Sequence, residues 1–195
     1  MKLQSTGLKA ILCLSVLLLL GSAPEEAHSQ ETTPEDTISV GGKTLKLIGR
    51  GVREFLFVDI YKLAAYSESG DCKPKNIIQN DETKAIRMSM VRKIPADRMN
   101  SNLKSSLIDA MDDKNDEEML KTIDSFLTFF KGDLVSGTFI EIIYKPGIGT
   151  VAKQNGKKLG TTPGKAFHQL LWKSYFGKDT CCSALKKDIL EMCNK

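Results

Sequence analysis

The apolar residues of this chain change period three times, and the order of those changes limits the folds open to it. Residues 37–40 and 43–48 read as two short strands joined by the turn pair Gly41-Gly42. A loop, Gly49-Arg50-Gly51-Val52-Arg53, precedes residues 54–66, which are rich in aromatic and β-branched side chains. Residues 71–75 read as a turn and 76–79 as one helical turn. Residues 85–91 alternate, with Ile86, Met88 and Met90 on one side, as a half-buried strand does.

The period then becomes helical. Pro95 suits a first turn, and Met99, Leu103, Leu107, Ile108 and Met111 follow at helical spacing. Asn115 stands where it can cap a second helix, whose first turn carries Asp116, Glu117 and Glu118, anions that the helix dipole favours there. Its stripe is Met119, Leu120, Ile123, Phe126, Leu127 and Phe130, and Gly132 ends it. Both stripes read as core. Strands return at 138–145 and 149–152, separated by Pro146-Gly147, and the hairpin pair Asn155-Gly156 leads into 157–161. Pro163 opens a third helix with Phe167, Leu170, Leu171 and Tyr175, and a last helix carries Leu185, Ile189 and Leu190. Strands, helices, strands and helices again imply an α+β fold: an antiparallel sheet with helices packed on one face.

The head of the chain reads differently. Lys2 and Lys9 precede an uncharged apolar run over residues 10–20, and Ala27 and Ser29 stand at −3 and −1 of a cut before Gln30. The run is about 11 residues, where a spanning helix needs roughly 20. Residues 1–29 are therefore read as a removable signal peptide. The mature chain is expected outside the cytoplasm, periplasmic or secreted, with no membrane span. Residues 30–36 form a polar leader, and residues 37–195 one domain. Roughly 165 residues suffice for one sizeable core. The formal charge of +4 is spread among interspersed acids, without the basic, aromatic-laced patch that nucleic-acid binding requires.

Cys13 leaves with the signal, so Cys72, Cys181, Cys182 and Cys193 remain, with three connectivities open in an oxidising compartment. Cys182 and Cys193 at opposite ends of one helix would stand about 16 Å apart, beyond disulfide reach. The adjacent pair bonds to itself only with strain. A bridge from Cys72 to Cys181 or Cys182 is the pairing expected first. Zinc ligands normally come as spaced pairs, and His168 is the only histidine beyond the cut, so neither a metal site nor a cofactor is expected. His168 itself reads as an ordinary helix-face residue and not as a catalytic base. Gly49-x-Gly51 lacks the third glycine and the following helix of a dinucleotide loop, while glycines before Arg53 permit a tight approach of backbone to a ligand.

The chemistry left to explain surrounds Arg53. The segment LIGRGVREFLFVDIYKLAAY resembles the glycine-x-glycine-x-arginine loop and following strand of the chalcone isomerase-like family. The segment IEIIYKPGIGTVAKQNGKKLGTTPGKAFHQLLWKSYFG resembles that family's C-terminal part, with its Pro-Gly turn, Asn-Gly hairpin and Gly-x-x-Pro-Gly helix entry. Together with a helical middle of the right length, the two in order extend the resemblance over nearly all of residues 37–195, nearest to the family's short exported bacterial branch. The resemblance implies a curved antiparallel sheet covered on one face by helices, an open-faced β-sandwich, with a ligand cleft between the layers. It also implies that Arg53 binds a ligand's oxygen anion beside Tyr61, a strand position that is threonine in the enzymes and tyrosine in the fatty-acid binders. The plant enzymes add a tyrosine from the helical region. Here no tyrosine lies between Met99 and Phe130, and an ungapped match sets Met111 there. A thioether neither holds a catalytic water nor donates a proton.

The expected function is therefore an exported, non-catalytic binder of a small apolar acid such as a fatty acid, with Arg53, Tyr61 and Met111 as ligand-binding residues and none catalytic. The alternative is an isomerase or lyase that stabilises an enolate or phenolate at Arg53. A third reading is an envelope protein whose cleft its own side chains fill. On the residues alone, Arg53 can instead pair with Asp59 or Glu54.

Overall fold

The structure, a computed structural model, describes residues 35–180 and 182–194. The residues read as a signal peptide, most of those read as a polar leader, and Cys181 lie outside the described residues. Seven strands of the described residues follow one another in space as they do in sequence. They are β1 (Thr37–Val40), β2 (Lys43–Phe55), β3 (Val58–Ser67), β4 (Lys84–Met90), β5 (Phe139–Lys145), β6 (Gly149–Gln154) and β7 (Lys157–Thr162). Their order is β1-β2-β3-β4-β5-β6-β7, antiparallel throughout. Among the described residues five helices accompany them: α1 (Pro74–Gln79), α2 (Ala96–Ala110), α3 (Glu117–Leu127), α4 (Lys165–Phe176) and α5 (Ser183–Cys193).

Side-chain alternation along the strands divides the core in two. One face sends Leu63 and Ala65 of β3, Ile86 and Met90 of β4 and Ile140 and Ile142 of β5 into the large core shared with the helices. The opposite face sends Ala64, Tyr66, Ala85 and Ile143 into a smaller core with Ile38, Val40 and Leu45 of the first hairpin. The sheet curls far enough for that hairpin to reach across. A Cβ at Gly41, in the β1–β2 turn, would stand 3.0 Å from Lys145 Nζ at the end of β5. The result is a half-barrel with helices over one face.

Three local outcomes differ from the sequence reading. Residues 49–53 are not a loop but the middle of β2, bulged between Leu47 and Gly49 and again after Arg53. Gly49 and Gly51 carry no side chain because α5 lies directly on them. A Cβ at Gly49 would come within 2.9 Å of the Ile189 backbone, and one at Gly51 within 2.8 Å of Leu185 Cδ1. Their smallness admits a helix and not, as the sequence suggested, a ligand. Second, the apolar run expected as one strand over residues 54–66 folds back on itself at Leu56 and Phe57, both left-handed, with φ of 49° and 63°. Third, Asp116 and not Asn115 caps α3, its carboxylate accepting the Met119 N–H at 2.9 Å.

The disulfide pairing also differs from expectation. Cys72 is bonded to Cys193, with Cα atoms 5.7 Å apart, and not to Cys181 or Cys182. Because α5 runs back along β2, its last residue and not its first arrives beside the segment that enters α1. Cys182 is buried at the α5 N-cap.

Candidate functional site

Arg53 and Tyr61 face each other directly across the β2–β3 ladder, and Tyr61 in turn faces Met90 on β4. The same row-by-row register pairs Gly51 with Leu63 and Gly49 with Ala65, so all of these share the helix-covered face. α5 runs antiparallel to β2, with Ile189 over Gly49 and Leu185 over Gly51, and its N-terminal end therefore points toward the Arg53 end of the strand. The positive end of a helix dipole on that side favours an anion. The Asp188 carboxylate, near Gly51, opposes it.

Arg53 is partly exposed, and its Nη1 donates to the Glu54 carbonyl at 2.8 Å. That bond fixes the guanidinium without neutralising it. Among the described residues, neither the Glu54 nor the Asp59 carboxylate pairs with Arg53, so the ion pair considered from the sequence does not form. A planar fork with donors left over is what a carboxylate or phenolate needs for two-point binding. Tyr61 is half-buried and packs against the main core.

Further along the same face, Met88 is also only half-buried, although its cross-strand neighbours Leu63 and Ile140 are buried. Tyr175, from α4, donates its hydroxyl to Met88 Sδ at 3.9 Å. Arg53, Tyr61, Met90 and Met88 thus form a continuous patch, with a phenol reaching it from the helical layer. Sequence reasoning looked for that phenol only between residues 99 and 130 and missed Tyr175. Its place at the C-terminal end of α4 was the available signal.

Met111 does not join this group. It lies just beyond α2, a 15-residue helix about 22 Å long, whose start is tied near the Tyr61 end of β4. There Met90 accepts the Gly137 N–H, and Ile94 pairs with Leu134. Met111 instead lines a groove of about 610 Å³ with Ile78, Met119, Gln169, Leu170 and Lys173, and neither Arg53 nor Tyr61 borders it.

A second set of ionisable groups is buried apart from both. Lys84 is wholly inaccessible, donates to the Ile77 carbonyl at 2.6 Å and lies 5.5 Å from the centre of the Trp172 ring. Burial pushes its pKa down to about 8. His168, expected on a helix face, is also wholly buried, and its ring stacks on Tyr144 at 3.7 Å. Burial, with Lys84 and Lys165 nearby, holds its pKa down to about 2. The Tyr144 hydroxyl donates to Asp81 at 2.6 Å, and burial followed by that bond pushes the phenol up to about 12. Shifted pKa values can mark active sites. These groups line neither the Met111 groove nor the smaller pocket on the other sheet face.

Among the described residues no cluster of histidine, cysteine and carboxylates is arranged to hold a metal, and no helix is long and apolar enough to cross a membrane. No curated protein matches the sequence. Among solved structures, the chain is similar to a fatty-acid binding protein of Arabidopsis thaliana, at 15% identity and a TM-score of 0.64 over 80% of this chain and 97% of that one. At that identity the likeness speaks for the fold. The sequence pattern described as chalcone isomerase-like matches residues 27–191, and with the half-barrel and its helical layer it establishes that the chain belongs to the chalcone isomerase-like family.

Proposed function

We propose that this protein is exported and binds a small apolar anion such as a fatty acid, without turning it over, between the sheet and its helices. The observation that carries the reading is the Arg53–Tyr61 pair on the helix-covered face, with a guanidinium anchored on a main-chain carbonyl and on no carboxylate. Beside it the half-buried Met88 offers an apolar, adaptable contact for an acyl chain. The likeness to a plant fatty-acid binding protein supports the same ligand class.

A charge-assisted hydrogen bond from arginine to a carboxylate contributes on the order of 1.5–3 kcal/mol. Arg53→Met keeps an unbranched stem and is expected to weaken fatty-acid binding by roughly ten- to a hundredfold. Titration of a fluorescent fatty acid into both proteins measures this, with equal affinities assigning Arg53 a structural role. The isomerase alternative draws on Tyr175, which brings a phenol from the helical layer to Met88. Rapid flavanone formation from a chalcone, lost in Tyr175→Phe, would favour it.

Export is supported by the N-terminal pattern and by the Cys72–Cys193 bond, since disulfides persist mainly in oxidising compartments. Protein recovered from its host is expected to begin at or within a few residues of Gln30. Soluble, ligand-binding protein that retains Met1 would argue against it.

A further inference from the structure

Three hairpins in this sheet are closed by two residues that both adopt positive φ. Gly41-Gly42 closes β1–β2 with φ of 58° and 81°, and Asn155-Gly156 closes β6–β7 with 48° and 78°. These are the residue types that such a turn requires. The β2–β3 hairpin uses Leu56 and Phe57 for the same geometry, at 49° and 63°. Left-handed backbone is strained in bulky side chains and normally persists where packing compensates. No such packing exists here: Leu56 is 76% exposed, Phe57 99% and the adjoining Phe55 60%. The chain holds three large apolar side chains in water at the cost of backbone strain.

The surroundings of the tip point to what it meets. One ladder row behind it, Glu54 faces Asp59, and each main-chain carbonyl of that row holds a guanidinium. Arg53 Nη1 donates to Glu54 O at 2.8 Å and Arg92 Nε to Asp59 O at 2.6 Å. With Lys62 two rows further along, opposite Val52, three cations form a collar around the Glu54 and Asp59 carboxylates. Val91 and Val135, 36% and 53% exposed, stand at the same end of the sheet. The Val91 N–H donates to Ile60 O, and the Ser136 hydroxyl donates to Val91 O. Aromatic and aliphatic side chains at a projecting tip, ringed by arginine and lysine, match the depth profile of a bilayer interface, with acyl chains beneath anionic headgroups.

We propose that the β2–β3 hairpin is a membrane-docking element that inserts Phe55, Leu56 and Phe57 into the interfacial region of a phospholipid bilayer, with Arg53, Lys62 and Arg92 at headgroup level. This rests on the hairpin and the residues around its base, and not on the identity of any bound ligand.

Phe57→Trp reads the tip directly, because Trp172 is 1% exposed and cannot reach a vesicle. With vesicles of three parts phosphatidylcholine to one part phosphatidylglycerol, the new indole should emit at shorter wavelength and be quenched by acyl-brominated lipid, while in buffer it should emit as a water-exposed indole. The double substitution Leu56→Asn with Phe57→Gly installs the turn already present at residues 155 and 156. It should melt at or above the wild-type temperature yet bind the same vesicles roughly tenfold or more weakly. Unquenched emission with vesicles, or unchanged vesicle affinity of the double variant, overturns the proposal. Short-wavelength emission in buffer alone also overturns it, since the tip would then be covered by this chain or a second copy.

Discussion

Replacing Cys72 and Cys193 together by serine is expected to lower the thermal unfolding midpoint by roughly 10 °C. The two residues are 121 positions apart, so the bond closes a loop spanning most of the described chain. Cross-linking a loop of that length removes denatured-chain entropy worth about 4–5 kcal/mol in the chain-entropy treatment, and native bonds typically contribute about 2–5. A domain of this size loses about 2–4 °C per kcal/mol. The native contribution is local: the bond ties the end of α5 to the segment entering α1, and α5 covers Gly49 and Gly51 of β2. Leu185 and Ile189 bury α5 against the main core, so the helix should remain docked in the variant but detach more readily. Limited proteolysis should therefore cut first near α5. Reductant should bring the wild type to the same melting temperature, and identical melting of oxidised and reduced wild type would show that the bond contributes nothing.

The bond also shows where sequence reasoning stops. Helical rise was enough to exclude Cys182–Cys193, correctly, because both cysteines sit at the ends of α5. Nothing local fixes which end of a helix meets a segment more than a hundred residues upstream, and that depends on α5 running antiparallel to β2. The glycines taught the converse. Gly49 and Gly51 were legible as sites of close approach, but whether a ligand or a helix approaches is a tertiary fact. The antiparallel meander was readable because Gly41-Gly42, Pro146-Gly147 and Asn155-Gly156 announce their turns. The β2–β3 turn was not, because Leu56-Phe57 carries no turn chemistry. Arg53 and Tyr61 were singled out through the resemblance, yet their direct pairing depends on that unannounced turn. Met111 was matched by counting along the helical region, and a helix about 22 Å long carries such a count out of the patch.

Acid should destabilise this protein from about pH 6.5 downward, and His168 is the reason. In the folded chain its pKa is held down to about 2 by burial first, and then by Lys84 and Lys165. In the unfolded chain it returns to about 6.5. Below pH 6.5 the unfolded state therefore binds a proton that the folded state refuses, and stability falls with pH by about 1.4 kcal/mol per unit. The loss should reach about 2 kcal/mol by pH 5 and continue toward pH 2, while above pH 6.5 this contribution is fully present and flat. Lys84, held down to about 8 by burial, acts at the other end. Between pH 8 and its unfolded value the unfolded chain holds the extra proton, so stability should rise with pH there. His168→Phe separates the two. The ring can still stack on Tyr144, where the imidazole now lies at 3.7 Å and 9° from parallel. Neither imidazole nitrogen has a hydrogen-bond partner, so the substitution removes a buried polar group whose desolvation costs about 1–3 kcal/mol. Thermal melts of both proteins from pH 7 to pH 5 should show a wild-type decline of roughly 5 °C and almost none in His168→Phe, with the variant at least as stable at pH 7. Parallel declines would mean that the imidazole takes up its proton without unfolding, which requires a partner or a water at Nδ1 or Nε2.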